Sequence, residues 1–290
     1  MERLTRAVKD ALPKEVRRTL LQKQSDLGTI FTSVEAQSRY TNIYHCCVQK
    51  TASQWLRRIF ADQTVYRYSG LRWEYFPAWM DTSTLRPIIQ NLPSGGFPEG
   101  RIVSPLYMSH DTFASMEKPD EYRAFFVKRD PRDIVVSFYF STLHAHLEND
   151  YISRTRKRLG KGKEEEGLIA AIDELEEFLF PSLRSWERAK ENNESVTVWK
   201  FEDLTSTENR YESLRELLNE LDISIPAREF DDLMEEYAFK SLAGRSKGEE
   251  DLQSSFRKGV HGDWQNHFTP AVQEHFVKKT NDIHELLGYA

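Results

Sequence analysis

Cysteine is almost missing from this chain: of 290 residues, only Cys46 and Cys47 carry thiols. Neighbours on an extended strand point to opposite faces, so an ordinary disulfide between them is excluded and a reducing, cytoplasmic setting is expected. No apolar run approaches the ~20 residues that cross a bilayer, and the first residues hold no signal-peptide core. The eight histidines show no metal-ligand spacing. His144 and His146, two apart on an expected helix, diverge and read as surface polar residues. Positive charge is not in excess either: 40 Lys and Arg stand against 46 Asp and Glu, a net charge of −6, which argues against non-specific nucleic-acid binding. A Gly-x-x-x-x-Gly-Lys-Ser/Thr loop is lacking, which weighs against a nucleotide-dependent kinase. No internal repeat is visible. These absences point to a soluble protein with neither a membrane nor a nucleic acid as partner.

What is present alternates between strand-like and helix-like patterns. Short apolar runs at Ile43 to Val48, Arg101 to Ser104, Ala124 to Lys128 and Val196 to Lys200 read as strands. Helices are expected over Gln54 to Asp62, Pro131 to His144, Leu168 to Asn192 with a break near Pro181, Thr207 to Leu221, and Pro270 to Leu287. The pattern predicts an α/β fold: a single domain, residues 40–290, with a central, mainly parallel sheet flanked by helices. Residues 1–39 form a basic, amphipathic extension, with Leu4, Val8 and Leu12 at helical spacing, expected to pack on that domain. Three loops are expected, at Asn91 to Gly100, Arg154 to Gly167 and Lys240 to Ser255. The aromatic segment Tyr66 to Trp79 reads as either an acceptor wall or a satellite of the core.

Three segments carry chemistry. The first, Gln49-Lys50-Thr51-Ala52-Ser53-Gln54-Trp55-Leu56, follows an apolar strand and leads into a helix whose core side holds Leu56, Ile59 and Phe60. Amides at a helix start, two hydroxyls and an ammonium make a P-loop-like anion site. In the second, Arg129-Asp130-Pro131-Arg132-Asp133 ends a strand and begins a helix that carries Ser137. The third, Arg257-Lys258-Gly259-Val260-His261-Gly262-Asp263-Trp264, sets a planar fork of donors, a mobile ammonium and a glycine amide side by side. That combination suits a phosphate.

In this order the three segments resemble the cytosolic-type sulfotransferases, which transfer a sulfuryl group from 3'-phosphoadenosine 5'-phosphosulfate (PAPS) to an acceptor. The third segment matches the pattern Arg-Lys-Gly-x-x-Gly-Asp-Trp at every fixed position, and the likeness spans roughly residues 40–286. The resemblance implies that Lys50, Thr51, Ala52, Ser53 and Gln54 hold the 5'-phosphosulfate, while Trp55 and Phe239 pack on adenine. Arg129, Ser137, Arg257, Lys258 and Gly259 would hold the 3'-phosphate. It places the acceptor's base at His110 and a cation for the leaving group at Lys50, with no metal.

The chain departs from the pattern in four places. Gln49 and Ala52 stand where proline and glycine are usual, Met108 replaces a lysine, and Phe201 replaces a tyrosine. A short dimer motif is half present, at Gln265, Thr269, Pro270 and Glu274, so the oligomeric state stays open. The resemblance implies an acceptor that is a small molecule bearing a hydroxyl or an amine. The alternative is a non-catalytic nucleotide-binding or interaction protein that keeps the PAPS clamp.

Overall fold

A computed structural model describes residues 14–76, 95–146, 148–189, 194–206, 210–254 and 256–289. Its centre is a sheet of five strands: β1 (Asn42–Cys47), β2 (Arg72–Glu74), β3 (Arg101–Tyr107), β4 (Tyr122–Lys128) and β5 (Val196–Lys200). They lie in the order β2-β3-β1-β4-β5, and every neighbouring pair is parallel. All six residues of β1 are buried, as expected of a central strand covered on both faces.

From β1 the chain first crosses to β2 and β3 on one side, then returns to β4 and β5 on the other. The carboxyl ends of β1 and β4 therefore flank the point where the winding direction reverses. Open parallel sheets bind ligands in that crevice.

Two apolar cores lie on the two faces. One gathers Tyr44, Phe113, Phe126, Trp186 and Phe276; the other gathers Ile43, Leu56, Phe60, Phe125 and Leu217. Alternation along β1 sends Ile43 to one and Tyr44 to the other.

The expected strands are all present, with ends shifted by up to three residues, and other readings need correction. β2 lies inside the aromatic segment; three residues are too few for a periodic signal, and its Trp73 is a core residue whose indole N–H donates to the Ser104 carbonyl at 2.8 Å. β3 runs three residues beyond the expected end, through Pro105. Its register with β1 shifts between Tyr44 and Cys46, so Ser104 and Pro105 together face His45. A bulge tolerates a residue with no N–H to donate.

The charged stretch 154–167 is not a loop. It contributes to two helices, Asp150–Leu159 and Glu164–Phe178. The first buries Ile152, Thr155 and Leu159 on one side and is capped by the Asn149 side chain; the second starts with three glutamates, which its N-terminal dipole favours. Charge content alone hid a one-sided pattern.

The helix Lys14–Ile30 lies against β2. Both ends of the Gln22 amide are used there, donating to the Trp73 carbonyl at 2.8 Å and accepting the Tyr75 N–H at 3.0 Å. Leu4, Val8 and Leu12, residues 91–94 of the loop at 91–100 and the aromatic segment beyond Phe76 lie outside the described residues. No described helix is long and apolar enough to cross a membrane.

Candidate active site

β1 leads into a turn that holds two non-glycine residues in the left-handed region, Lys50 at φ 72° and Ala52 at φ 59°. Each such residue costs on the order of 1–2 kcal/mol, a strain typical of ligand-binding turns. The helix Ser53–Phe60 begins at Ala52 with no side-chain cap, which leaves its first amides turned outward for an anion. Trp55, Leu56, Ile59 and Phe60 are buried, anchoring the helix that presents those amides.

Thr51 is wholly buried, and its hydroxyl donates to the Val48 carbonyl at 2.8 Å, so this residue braces the turn from beneath. Ser53 and Gln54 face the opening, where both meet the hydroxyl of Tyr107, at 2.7 and 3.1 Å. Tyr107 is the last residue of β3, which the shorter sequence-based strand left out.

Arg129, just past β4, joins the turn to the distant C-terminal loop. Its guanidinium donates to the carbonyls of Lys50 at 3.1 Å and Val260 at 3.3 Å, and lies 4.4 Å over the ring of Phe201. Two residues of the second segment serve the scaffold instead. Arg132 pairs with Asp130 at 2.7 Å and stacks 3.8 Å over Trp264. The buried Asp133 carboxylate accepts the N–H groups of Gly262 at 2.6 Å and Trp264 at 3.0 Å. That carboxylate fixes the loop of the third segment against the helix Pro131–Phe140.

Within the loop, Gly259 has φ 68°, and a Cβ there would run into the ring of Phe239. Glycine therefore lets the backbone and that aromatic touch. Arg257 and Lys258 both reach Asp263, Lys258 at 2.9 Å, and Arg257 also pairs with Glu250. Burial pushes the Asp263 carboxyl up, but hydrogen bonds from Lys258, Asn266 and Arg257 outweigh it and hold this group well below the usual carboxylate range. Carboxylates thus hold both cations in position.

These elements enclose a cleft of about 330 Å³. Of the residues singled out in the sequence, Lys50, Ala52, Ser53, Gln54, Trp55, Arg129, Ser137, Phe239, Arg257, Lys258 and Gly259 line it. Thr51 and His110 do not. His110 opens the helix His110–Ala114, with its ring edge-on to Trp186 at 5.2 Å. Its Nε2 is buried without a hydrogen-bond partner, and burial lowers its pKa. Met108 is buried, so that position supplies no cation to the cleft.

The cleft is also lined by Tyr107, His146, Phe201 and Phe256. Reading His146 as a surface residue needs correction: its Nε2 lies 3.0 Å from the Nζ of Lys50. The expected helix gave no hint of this, because the chain leaves it through a π-turn, Ser141–Ala145, which alters the facing of everything after it. Burial, then the charge of Arg129, lowers the Lys50 pKa to about 7.

The parallel sheet gathers cations, helix-start amides and aromatic rings at its switch point. The model of the sulfotransferase domain family matches residues 97–286, and the chain belongs to that family. No curated protein matches it in sequence.

Among solved structures, mouse sulfotransferase SULT7A1 complexed with PAP is 19% identical, with a TM-score of 0.59 over 93% of this chain and 94% of that one. Retinol dehydratase in a complex with retinol and PAP is 16% identical, with a TM-score of 0.54 over 91% of this chain and 85% of that one. At these identities the likeness is one of fold, and it establishes the sulfotransferase fold for the chain.

Proposed function

We propose that this chain is an active sulfotransferase that uses PAPS as its donor and a small molecule bearing a hydroxyl or amine as its acceptor. The observation that carries the reading is the meeting of segments some 200 residues apart in one cleft: the Lys50 turn, Arg129 and Ser137, and the Arg257-Lys258-Gly259 clamp. The PAP named in the solved relatives is the desulfated form of PAPS, in keeping with that donor.

In this reading the 5'-phosphosulfate lies on the outward amides of the Ser53–Phe60 helix, beside Lys50, Ser53 and Gln54. The adenine lies between the Trp55 and Phe239 sides of the cleft, and the 3'-phosphate is held by Arg129, Ser137, Arg257, Lys258 and the Gly259 amide. During in-line transfer, negative charge grows on the departing phosphate oxygen, and a preplaced ammonium at Lys50 stabilises it. Positioning and fixed charge supply the rate, as in phosphoryl transfer. The base is the one role for which two residues compete, His110 by its place in the sequence and His146 by its place in the cleft.

Calorimetry with PAP and with 5'-AMP tests the donor. We expect PAP to bind far more tightly, and Arg257→Ala to erase about 10- to 100-fold of the difference, the worth of one charge-assisted hydrogen bond. Equal affinities for the two nucleotides overturn the reading. Tight PAP binding with no sulfation across a panel of phenols, alcohols and amines instead supports a non-catalytic binding protein.

A further inference from the structure

The inference rests on the donor reading above and concerns the group that activates the acceptor. His146 follows a π-turn whose final hydrogen bond runs from the His146 N–H to the Ser141 carbonyl at 2.8 Å. Arg156 braces the turn from outside, donating to the carbonyls of Thr142 and His146, each at 3.0 Å. A wider turn inside a helix is a local irregularity often found at functional sites. Here it brings an imidazole into the wall of the cleft, on a backbone tied at both ends.

We propose that His146 is the catalytic base, its Nε2 taking the proton from the acceptor as the acceptor's oxygen or nitrogen attacks sulfur. Lys50 and His146 are 3.0 Å apart. In its protonated form Lys50 offers only donors, so it then donates to Nε2 and the ring's own proton is on Nδ1. The Lys50 contact thus holds Nε2 as the unprotonated ring nitrogen, the form a base requires.

When the phosphosulfate enters, Lys50 turns to the phosphate oxygen and Nε2 is given up to the acceptor. In-line transfer sets the attacking and departing atoms on opposite sides of one sulfuryl group. An ammonium and an imidazole 3.0 Å apart in the cleft wall are close enough to serve the two sides. The bond from acceptor to sulfur forms as the bond from sulfur to the 5'-phosphate oxygen breaks. The departing electron pair stays on PAP beside Lys50, and the proton passes to His146 and then to solvent.

His110 lies against Trp186 and is not part of the cleft wall, so the two histidines make separable predictions. The first experiment needs no acceptor. Long-range proton–nitrogen NMR of the full chain at neutral pH, with His146 assigned by His146→Gln, should show Nε2 unprotonated. A proton on Nε2 overturns the proposal.

The second uses PAPS with the panel of phenols, alcohols and amines, following PAP release. His146→Gln should lower kcat by about 10²–10⁴-fold, the usual worth of a general base, with PAP affinity within about twofold of wild type. His110→Gln is measured beside it, and a loss of kcat larger there than in His146→Gln overturns the proposal. Wild-type kcat in His146→Gln overturns the proposal. Because PAP affinity is measured in every variant, failure of the donor reading shows separately, as loss of PAP preference in the wild-type protein.

Discussion

Lys50 shows how much a single residue's setting matters. A lysine normally keeps its proton far above neutral pH, but burial and the neighbouring Arg129 bring this one to about 7. An anionic phosphosulfate has the opposite effect and raises it. Around pH 7.5, PAP binding should therefore take up protons, and affinity should fall as pH rises from about 7 until the lysine of the complex also titrates. Well below pH 7 the lysine is charged in both states, and the linkage vanishes. Calorimetry in two buffers of different ionisation enthalpy measures the uptake, which Lys50→Met should abolish. Identical heats in the two buffers for the wild-type protein would contradict this.

Residue identity was legible for most of this site because each chemical role limits the choice of side chain. Only glycine lets the backbone at position 259 sit on the Phe239 ring with φ 68°, and only a basic fork at position 129 reaches two carbonyls while stacking on Phe201. Ala52 is instructive in the other direction. The turn keeps its left-handed conformation without the usual glycine, so the geometry outlasts the residue that makes it cheapest.

At the scale of elements, the cleft depends on a loop with little regular structure being held as firmly as a helix. Asp133 does much of this: its carboxylate receives two backbone N–H groups of the third segment and lies 3.6 Å from Arg129. Asp133→Ala leaves those part-buried amides without their acceptor. The variant should lose on the order of 1–3 kcal/mol of stability, since solvent can partly satisfy the freed donors. Chemical denaturation checks the loss. Hydrogen exchange should rise first at 259–264; a variant as stable as wild type would mean that the loop is held elsewhere.

Element boundaries were legible where the apolar period was long, as in the helix starting at Pro131 and the one ending near Glu220. Short or irregular pieces escaped. Three-residue β2, the bulge at Ser104 and Pro105, and the π-turn before His146 have no repeating pattern to detect, since each is decided by the strand or helix beside it.

Over the whole molecule, the net charge of −6 says nothing of the cleft, where cations from three distant segments are concentrated. A ligand that bridges those segments should stabilise the entire fold. At about 100 times its dissociation constant, PAP adds about 2.7 kcal/mol. In a domain of this size that should raise the melting temperature by several degrees. 5'-AMP at equal concentration should do far less, and protection from exchange should appear both at 50–56 and at 257–259. Protection confined to one of the two stretches would mean that the cleft does not act as one site.

The sequence by itself determined the fold class, the family resemblance and the segments that build the cleft. Alternating apolar patterns fix a parallel sheet covered by helices, and phosphate recognition demands particular side chains at particular spacings. Only the tertiary structure decided which of those residues face the opening: Thr51 bracing the turn from below, Tyr107 closing over Ser53 and Gln54, and His146 in place of His110 against the cleft. Facing depends on strand register, on a bulge and on one wide helical turn. Those features arise from packing between segments far apart in the chain, and no local pattern records them.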